Sequence, residues 1–528
     1  MKTVKKHFKY DVVLATPSPT SHRTAEENLG LGYLCSSLRG KGFSVLIIDG
    51  WLNGWDVKRL SKEILDNSPK LFLGFSCYRS NMDKAMEVVS LLRERGVNTP
   101  VIAGGFGPTF HTNEFLDAGF NFVVRGEAEK TILDLANFFK NKSSNLKKIG
   151  GLSYKDDGNY VNNLLEPLNE KIDEIPFPSR DTLELAIRRK TPIHILSARG
   201  CQAHCLFCSI VSFQRLAKGP QWRQRSIKNF VDEMESLYKM GARYLKVIDD
   251  SFIEPPRDED WCERLADEIE RRSLKVKLRG SIRADRVSDR IIKHLKRAGF
   301  FSYSCGIENF SETSLKRMGK LATVKQNIKA LNIFKKYGIY VQAGHILFDH
   351  GTTIDELEEN YKGMKKYSWT VSKGVFTEMY AADGTPLTRF LENNDNLQKD
   401  IQGLGNNKYK IIDESSRKVY LALKTWHKSH SSIYDKTIDP ISAPKAVSDE
   451  DLKQIHPLCT ELKKKDLKFM RKVLDLVYKG ISEEKILEFT NNMIRKKHNW
   501  YDQFESKIDK LYKEMGLIYD AKVNPFIN

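Results

Sequence analysis

The sequence predicts an α/β protein in three parts: a doubly wound parallel sheet, a partial (β/α)6 barrel, and a mainly helical carboxyl-terminal region. Three observations carry this expectation. Short apolar strands alternate with amphipathic helices from about residue 10 to 145. The alternation resumes near residue 191 and runs through six units to about 395. From about 396 to 528, helical periodicity with lysine-rich faces replaces it, and no strand series is legible.

In the first block, strands are expected at Asp11–Thr16, Ser44–Asp49, Lys70–Ser76, Pro100–Ala103 and Phe122–Val124. Helices are expected at Leu29–Lys41, Val57–Asn67, Asn81–Arg95, Glu114–Ala118 and Glu129–Lys140. This is the rhythm of a Rossmann-like sheet, whose ligand lies beyond the carboxyl ends of the strands. Polar or glycine-containing turns fall at those ends: Ser76–Asn81, Gly104–Gly107 and Arg125–Glu127. Residues 146–190 read as a linker that includes a hairpin, Gly150–Asn162, and the turn-rich Ile175–Arg180. The second block places strands at His194–Ser197, Tyr244–Ile248, Lys275–Gly280, Phe301–Gly306, Val341–Leu347 and Lys373–Met379, a TIM-like partial barrel. The expected domains are therefore 1–145, 191–395 and 396–528, joined first by 146–190.

Composition narrows the class. Forty per cent hydrophobic residues, with 27 Phe and 20 Tyr, suffice for large cores and exclude global disorder. Apolar runs such as Leu71–Phe75 are too short to cross a bilayer, so no transmembrane segment is expected. The basic start is followed by only a brief apolar stretch; no secretory signal is read and the cytoplasm is the expected location. The net charge of +18 is spread along the chain, which fits either a solvated basic surface or an acidic partner. Without an RNA-recognition or helix-turn-helix signature, nucleic acid is not the expected partner.

Of eight cysteines, Cys201, Cys205 and Cys208 lie within eight residues, just after the first strand of the second block. Clustered thiols in a chain with no export signal point to metal or catalysis. Cys35, Cys77, Cys262, Cys305 and Cys459 are scattered and read as small buried apolar residues. Thiolates are the usual ligands of iron–sulfur clusters, and four protein cysteines close such a cluster. Three leave one iron open to a chelating group. The competing reading, a Cys3His zinc site using His204, requires one loop to wrap a single ion tightly, because His204 adjoins Cys205.

With Phe207 before its last cysteine, this C-x3-C-x2-C loop resembles the signature of the radical S-adenosylmethionine superfamily. Val247–Phe252, with Asp249 and Asp250, looks like that family's second-strand motif near the methionine amino group. Arg283-Ala-Asp285 resembles its R-x-D element facing the carboxylate, and Gly306-Ile-Glu308 its GIE element near the ribose. The fifth strand departs from the family's G-x-I-x-G-x-x-x-E run. Gly344 and Ile346 stand in place, but Phe348 replaces the second glycine and Thr352 the glutamate. The resemblance implies a [4Fe–4S] cluster on the three cysteines and S-adenosylmethionine against Phe207, Asp249, Asp250, Arg283, Glu308 and Ile346. An electron, delivered by an external donor such as flavodoxin or ferredoxin, then yields a 5′-deoxyadenosyl radical. His345 and His350 either face the substrate or are satisfied by neighbours.

The first block lacks a dinucleotide fingerprint, since Gly104-Gly105-Phe106-Gly107 is not G-x-G-x-x-G. Leu29–Leu34, Gly74–Cys77, Ala103–Gly105 and Val124–Glu129 together resemble the cobalamin-binding domain of the methylase-like class of these radical enzymes. That resemblance implies cobalamin beside Thr16, Ser76, Cys77, Gly104, Gly105, Gly126 and Glu127. The chain has no D-x-H-x-x-G motif, so it implies cobalamin without a protein histidine below the cobalt. The alternative is a vestigial sheet that merely caps the barrel.

The expected activity is cobalamin-dependent radical C-methylation of an unactivated carbon in a small-molecule, lipid or natural-product substrate. One rival is radical cyclisation or rearrangement without methyl transfer. Another is a zinc-stabilised basic RNA-binding module. The carboxyl-terminal helices are where substrate choice is expected. There Thr425–His430 and Asn499–Tyr501 either line a pocket or pack as helix faces, and Asp383–Leu387 reads as a structural turn.

Overall fold

The computed structural model describes residues 9–18, 27–141, 145–189, 191–399, 407–442 and 448–516. Strands β1 (Val12–Thr16), β2 (Val45–Asp49), β3 (Phe72–Ser76), β4 (Val101–Gly104) and β5 (Phe122–Val124) form a parallel sheet. It continues through the antiparallel β6 (Leu152–Asp156) and β7 (Asn159–Asn162), in the order β2-β1-β3-β4-β5-β6-β7. Its two faces are buried against helices, with Val13, Leu73 and Val101 in one core and Val12, Phe72 and Ile102 in the other. This is why the strands read as nearly continuous apolar runs. The 2-1-3-4-5 order puts its switch point between β1 and β3, where a crevice opens at the carboxyl ends.

The hairpin that the sequence places in the linker is instead the edge of this sheet, through the Val124–Leu152 register. The connecting chain from 163 to 192 crosses the first helix, Leu29–Arg39. Gly32 makes that crossing possible. A Cβ there would lie 2.8 Å from the Ser179 carbonyl oxygen, and the Gly32 carbonyl accepts a hydrogen bond from the Ser179 N–H.

The second sheet comprises β8 (Ile193–Ile195), then β11 (Tyr244–Val247), β12 (Lys277–Arg283), β13 (Phe300–Glu308) and β14 (Tyr340–His345), all parallel, in the order β14-β13-β12-β11-β8. It is a partial barrel of five strands, one fewer than the sequence suggests. In place of the sixth, expected at Lys373–Met379, the chain meets β14 and its continuation at two isolated bridges, Gln342 with Val371 just before that span and Phe348 with Glu378 within it. A tight turn breaks the ladder between them: Gly374 takes φ +71°, its N–H bonds to the Ser372 carbonyl, and Ser372 Oγ bonds to the Gly374 carbonyl.

A two-strand ribbon absent from the sequence reading, β9 (Ala198–Gly200) with β10 (Trp222–Gln224), closes the base of the cysteine loop. Gly200, with φ +88°, is obligatory there, because a Cβ would fall 1.8 Å from the Gln221 carbonyl oxygen. Helices Glu414–Ser429, Ser431–Ser442, Asp449–Tyr478 and Glu483–Glu514 make the carboxyl-terminal region. They cover the β14 side of the barrel, where Lys463 Nζ and His456 Nε2 bond to the carbonyl oxygens of Thr370 and Trp369.

Candidate functional site

The ribbon presents Cys201, Cys205 and Cys208 to the carboxyl ends of the barrel strands. The three cysteines line a cavity of about 270 Å³ with Phe207, Asp250, Arg283, Gly306, Glu308, Lys320, Gln342 and Gly344. Burial raises the pKa of all three thiols, that of Cys201 to about 12. Among the described residues no three His, Cys, Asp or Glu side chains converge on one metal ion. A cubic cluster, by contrast, takes each thiolate at its own corner. His204 lies outside the cavity and bonds through Nδ1 to Arg215 at 2.5 Å. Three thiols around a walled space thus fit a cluster with one open position.

The cavity walls carry paired charges. Arg283 bonds to Asp285 at 2.6 Å and to Glu254 at 3.0 Å, and Glu254 is 3.4 Å from Cys201 Sγ. Burial works against the Arg283 charge, but the two carboxylates raise its pKa. Lys320, buried, stands 2.8 Å from Glu308 and is likewise held protonated despite burial. Glu308 ends β13 with φ +56°, a strained conformation for a residue with a Cβ, which turns its carboxylate back over Gly306.

A second cavity, of about 300 Å³, lies at the crevice of the first sheet. Its floor is Leu14, Gly74, Ser76, Gly104 and Gly105; Leu31, Tyr33 and Gly126 flank it, and Leu196, Ile248 and Phe213 face it from the barrel. Strand-end glycines under apolar walls give a flat, open surface that fits the face of a corrin. Gly105 adopts φ 103°, ψ −168°, which only glycine tolerates.

Asp250 lines both cavities. Its surface is exposed to these cavities; it accepts a hydrogen bond from the Gly200 N–H at 3.0 Å, and desolvation by the surrounding walls pushes its pKa up to about 6. The chambers are locked together by an arginine clamp. Arg223 grips Glu127 with both guanidinium nitrogens at 2.7 and 2.9 Å, while Arg199 pairs with Glu129 at 2.6 Å and Glu127 at 3.3 Å. Both arginines stand on the ribbon, and both glutamates belong to the first domain.

Of the expected S-adenosylmethionine contacts, Phe207, Asp250, Arg283 and Glu308 meet at the first cavity. Asp249 does not. It is sealed beneath, taking hydrogen bonds from the Ser197 N–H and Oγ and facing Arg257 at 3.6 Å. Ile346 sits in a separate apolar cluster with Met318, Met379 and Leu387, and reaches the cavity only by packing against Phe207. Of the expected cobalamin contacts, Ser76, Gly104, Gly105, Gly126 and Glu127 line the second cavity. Thr16 and Cys77 are buried behind it: Thr16 Oγ1 donates to the Ser76 carbonyl and the Cys77 N–H to that of Gly104. The Glu127 carboxylate is taken up by the clamp. Lys320, Glu254, Arg199 and Arg223 were not singled out from the sequence; no local spacing distinguishes them.

The remaining candidates lie outside these two cavities. His345 faces Phe310, ring centroids 5.5 Å apart, and burial lowers its pKa to about 3. His350 borders a different cavity, against Phe390. His430 stacks on Tyr501 and Trp426 on Phe469, so both carboxyl-terminal motifs form packed helix faces. Thr385 caps helix Pro386–Asn393, which makes Asp383–Leu387 a structural turn.

Comparison with known proteins agrees with both chambers. The Radical SAM superfamily model matches residues 195–362, and the B12 binding domain model matches residues 21–136. An uncharacterized methyltransferase of Pyrococcus horikoshii is 30% identical over 373 residues, 69% of this chain and 78% of that protein. The 4'-phospho-dehydrooxetanocin synthase of Priestia megaterium is 28% identical over 63% of this chain and 47% of its own. The anaerobic magnesium-protoporphyrin IX monomethyl ester cyclase of Synechocystis is 26% identical over 62% and 66%. Among solved structures, the cobalamin-dependent S-adenosylmethionine radical enzyme OxsB, with aqua-cobalamin and S-adenosylmethionine bound, superposes with a TM-score of 0.76 at 19% identity. That superposition spans 97% of this chain and 84% of that one.

Proposed function

We propose that this chain, which belongs to the cobalamin-dependent radical S-adenosylmethionine enzymes, transfers a methyl group to an unactivated carbon of a small-molecule or lipid substrate. Its cofactors are a [4Fe–4S] cluster, S-adenosylmethionine and cobalamin, which when bound supply a substrate-activating radical and a methyl group. The observation that carries the proposal is the shared wall: Asp250 borders both the cysteine cavity and the glycine-floored cavity. One substrate carbon held there is within reach of both chambers.

The residues around the two cavities divide the work in this reading. Cys201, Cys205 and Cys208 hold the cluster, and Arg283 offers a cation to the S-adenosylmethionine carboxylate. Glu308, braced by Lys320, accepts hydrogen bonds from the ribose, and Phe207 walls the site from water. Gly104, Gly105 and Gly126 let the backbone approach the corrin, and the Glu127–Arg223 clamp fixes the distance between chambers. We place the enzyme in the cytoplasm, where reducing carriers are available; among the described residues no helix is long and apolar enough to cross a membrane.

The deciding experiment supplies methyl-labelled S-adenosylmethionine to the anaerobic enzyme with candidate substrates. Label in the product together with 5′-deoxyadenosine supports methylation. Product and 5′-deoxyadenosine without label would instead favour cyclisation or rearrangement, a reading supported by the likeness to the magnesium-protoporphyrin ester cyclase.

A further inference from the structure

The cavity that His350 borders encloses about 760 Å³, against about 300 and 270 Å³ for the two cofactor chambers, and it shares no lining residue with either. It lies between the end of helix Pro386–Asn393, residues 409–412, and the first two turns of helix Glu414–Ser429. Leu391 and Tyr409 belong to its wall and pack in the same apolar cluster as Ile346 and Phe207. That layer sets the cavity apart from the cysteines.

Most of the lining is apolar surface. Phe390 and Ile412, both at this cavity, are 50% and 73% exposed, more than a large apolar side chain gains from facing water. Two tyrosines contribute rings rather than hydroxyls: the Tyr409 hydroxyl bonds to the Met379 carbonyl at 2.9 Å and that of Tyr420 to Glu378 at 2.7 Å. A concave apolar space with a few polar groups is the usual form of a small-molecule site.

His350 is the polar group set deepest in it, 8% exposed. Its Nδ1 is enclosed without a hydrogen-bond partner, and Nε2 makes no hydrogen bond among the described residues. Burial lowers its pKa, which keeps the ring neutral and leaves it one N–H. A proton on the enclosed Nδ1 would be a stranded donor, costlier than an unused acceptor, so it belongs on Nε2. The ring is held in place: Arg317 bonds to Asp349 at 2.9 Å, and the His350 carbonyl accepts the Ile412 N–H at 2.9 Å. Around it the lining carries two cations, Lys410 and Arg417, and one carboxylate, Asp395. Lys410 is exposed and forms no ion pair among the described residues; Arg417 has a long contact, 3.5 Å, to Glu483.

We propose that this cavity is a binding site for a hydrophobic carboxylate, separate from the chambers where the radical and methyl chemistry is placed. The apolar body of the ligand covers Phe390, Ile412 and the two tyrosine rings. Its carboxylate accepts the His350 Nε2–H and faces Lys410.

Isothermal titration calorimetry of the anaerobic, cofactor-loaded full-length chain with naphthalene-2-acetate tests this. One acid is expected to bind per chain, and naphthalene-2-ethanol, its neutral counterpart, more weakly. His350→Phe keeps a ring against Phe390 and removes the N–H, so it should weaken the acid about tenfold, the scale of one hydrogen bond to a charged group. Lys410→Gln, at an exposed position, should weaken the acid about threefold, as for an exposed ion pair, and spare the alcohol. Leu421→Trp fills the cavity and should abolish binding of both. These two variants keep the site readable if His350→Phe fails to fold. All the changes lie at this cavity, so the outcome does not depend on what the cofactor chambers hold. No saturable binding at millimolar acid, unchanged affinity in His350→Phe or Leu421→Trp, or equal binding of acid and alcohol would overturn the assignment.

Discussion

Two adjacent glycines separate the folding and binding roles of the crevice, and replacing each by alanine tests both. At Gly105 the backbone lies at φ 103°, ψ −168°, and an added Cβ would sit 2.8 Å from the Cys77 carbonyl oxygen. That oxygen cannot retreat, because it accepts the Gly107 N–H and the Cys77 N–H is bound to Gly104. Backbone strain of this kind costs about 1–3 kcal/mol, and the carbonyl contact adds to it. Gly105→Ala is therefore expected to destabilise the amino-terminal domain by about 3 kcal/mol, a drop of roughly 6–12 °C in its Tm. At Gly104 the backbone is ordinary and the nearest atom to a new Cβ is 3.7 Å away, so Gly104→Ala folds as the wild type does. Its methyl group instead occupies the cavity floor. Calorimetry of the apo proteins and cobalt per chain after reconstitution give the two readouts. Gly104→Ala binding full cobalt at unchanged affinity would refute the cavity as the corrin site. Gly105→Ala melting with the wild type would refute the strain argument.

Three further perturbations probe the rest of the molecule. The Cys201→Ala/Cys205→Ala/Cys208→Ala variant is expected to lose iron and keep cobalt, checked by metal analysis of anaerobic protein. Glu127→Gln removes the charge from the partner of the deeply buried Arg223, a loss worth about 3–5 kcal/mol when a buried ion pair is broken. It should expose the domain junction to limited proteolysis, and a digestion pattern identical to the wild type counts against the clamp. Lys463→Met removes a fully buried amino group, hydrogen-bonded to Thr370, whose pKa burial lowers from 10.5 to about 7. The unfolded chain binds the extra proton between about pH 7 and 10.5, so wild-type stability rises across that window, by up to about 5 kcal/mol. The methionine variant should flatten that rise in denaturant midpoints at pH 7 and 9.5; parallel slopes would show that Lys463 does not titrate there.

Where local pattern is sufficient, the fold was legible. Strands β1–β5 are buried on both faces and read as apolar runs, and each lies within two residues of its expected span. The failures are places where tertiary contacts decide. Lys373–Met379 has strand composition, but Gly374 turns the chain away from β14. The hairpin near residue 155 reads as an isolated unit, because nothing local shows that β5 still needs an edge partner. The ribbon β9–β10 joins segments separated by the whole cysteine loop, and three-residue strands have no period to detect.

The site divides by chemistry rather than by confidence of motif. Cysteines and strand-end glycines announce themselves, since the first bring a reactive group and the second a backbone that must come close. Acidic residues do not, because a carboxylate's role depends on which cation reaches it. Asp249 and Asp250 are neighbours, yet one is sealed against Ser197 and Arg257 while the other borders both chambers. Glu127 is claimed by Arg223, 96 residues away. That distant pairing has a mechanical consequence. Arg199 and Arg223 occupy facing positions on the ribbon whose end releases Cys201 into the loop, so the element that sets the cysteines also grips the first domain. The first domain is therefore coupled to the cysteine loop through three ion pairs and a three-residue ladder, so a shift in one chamber strains the other.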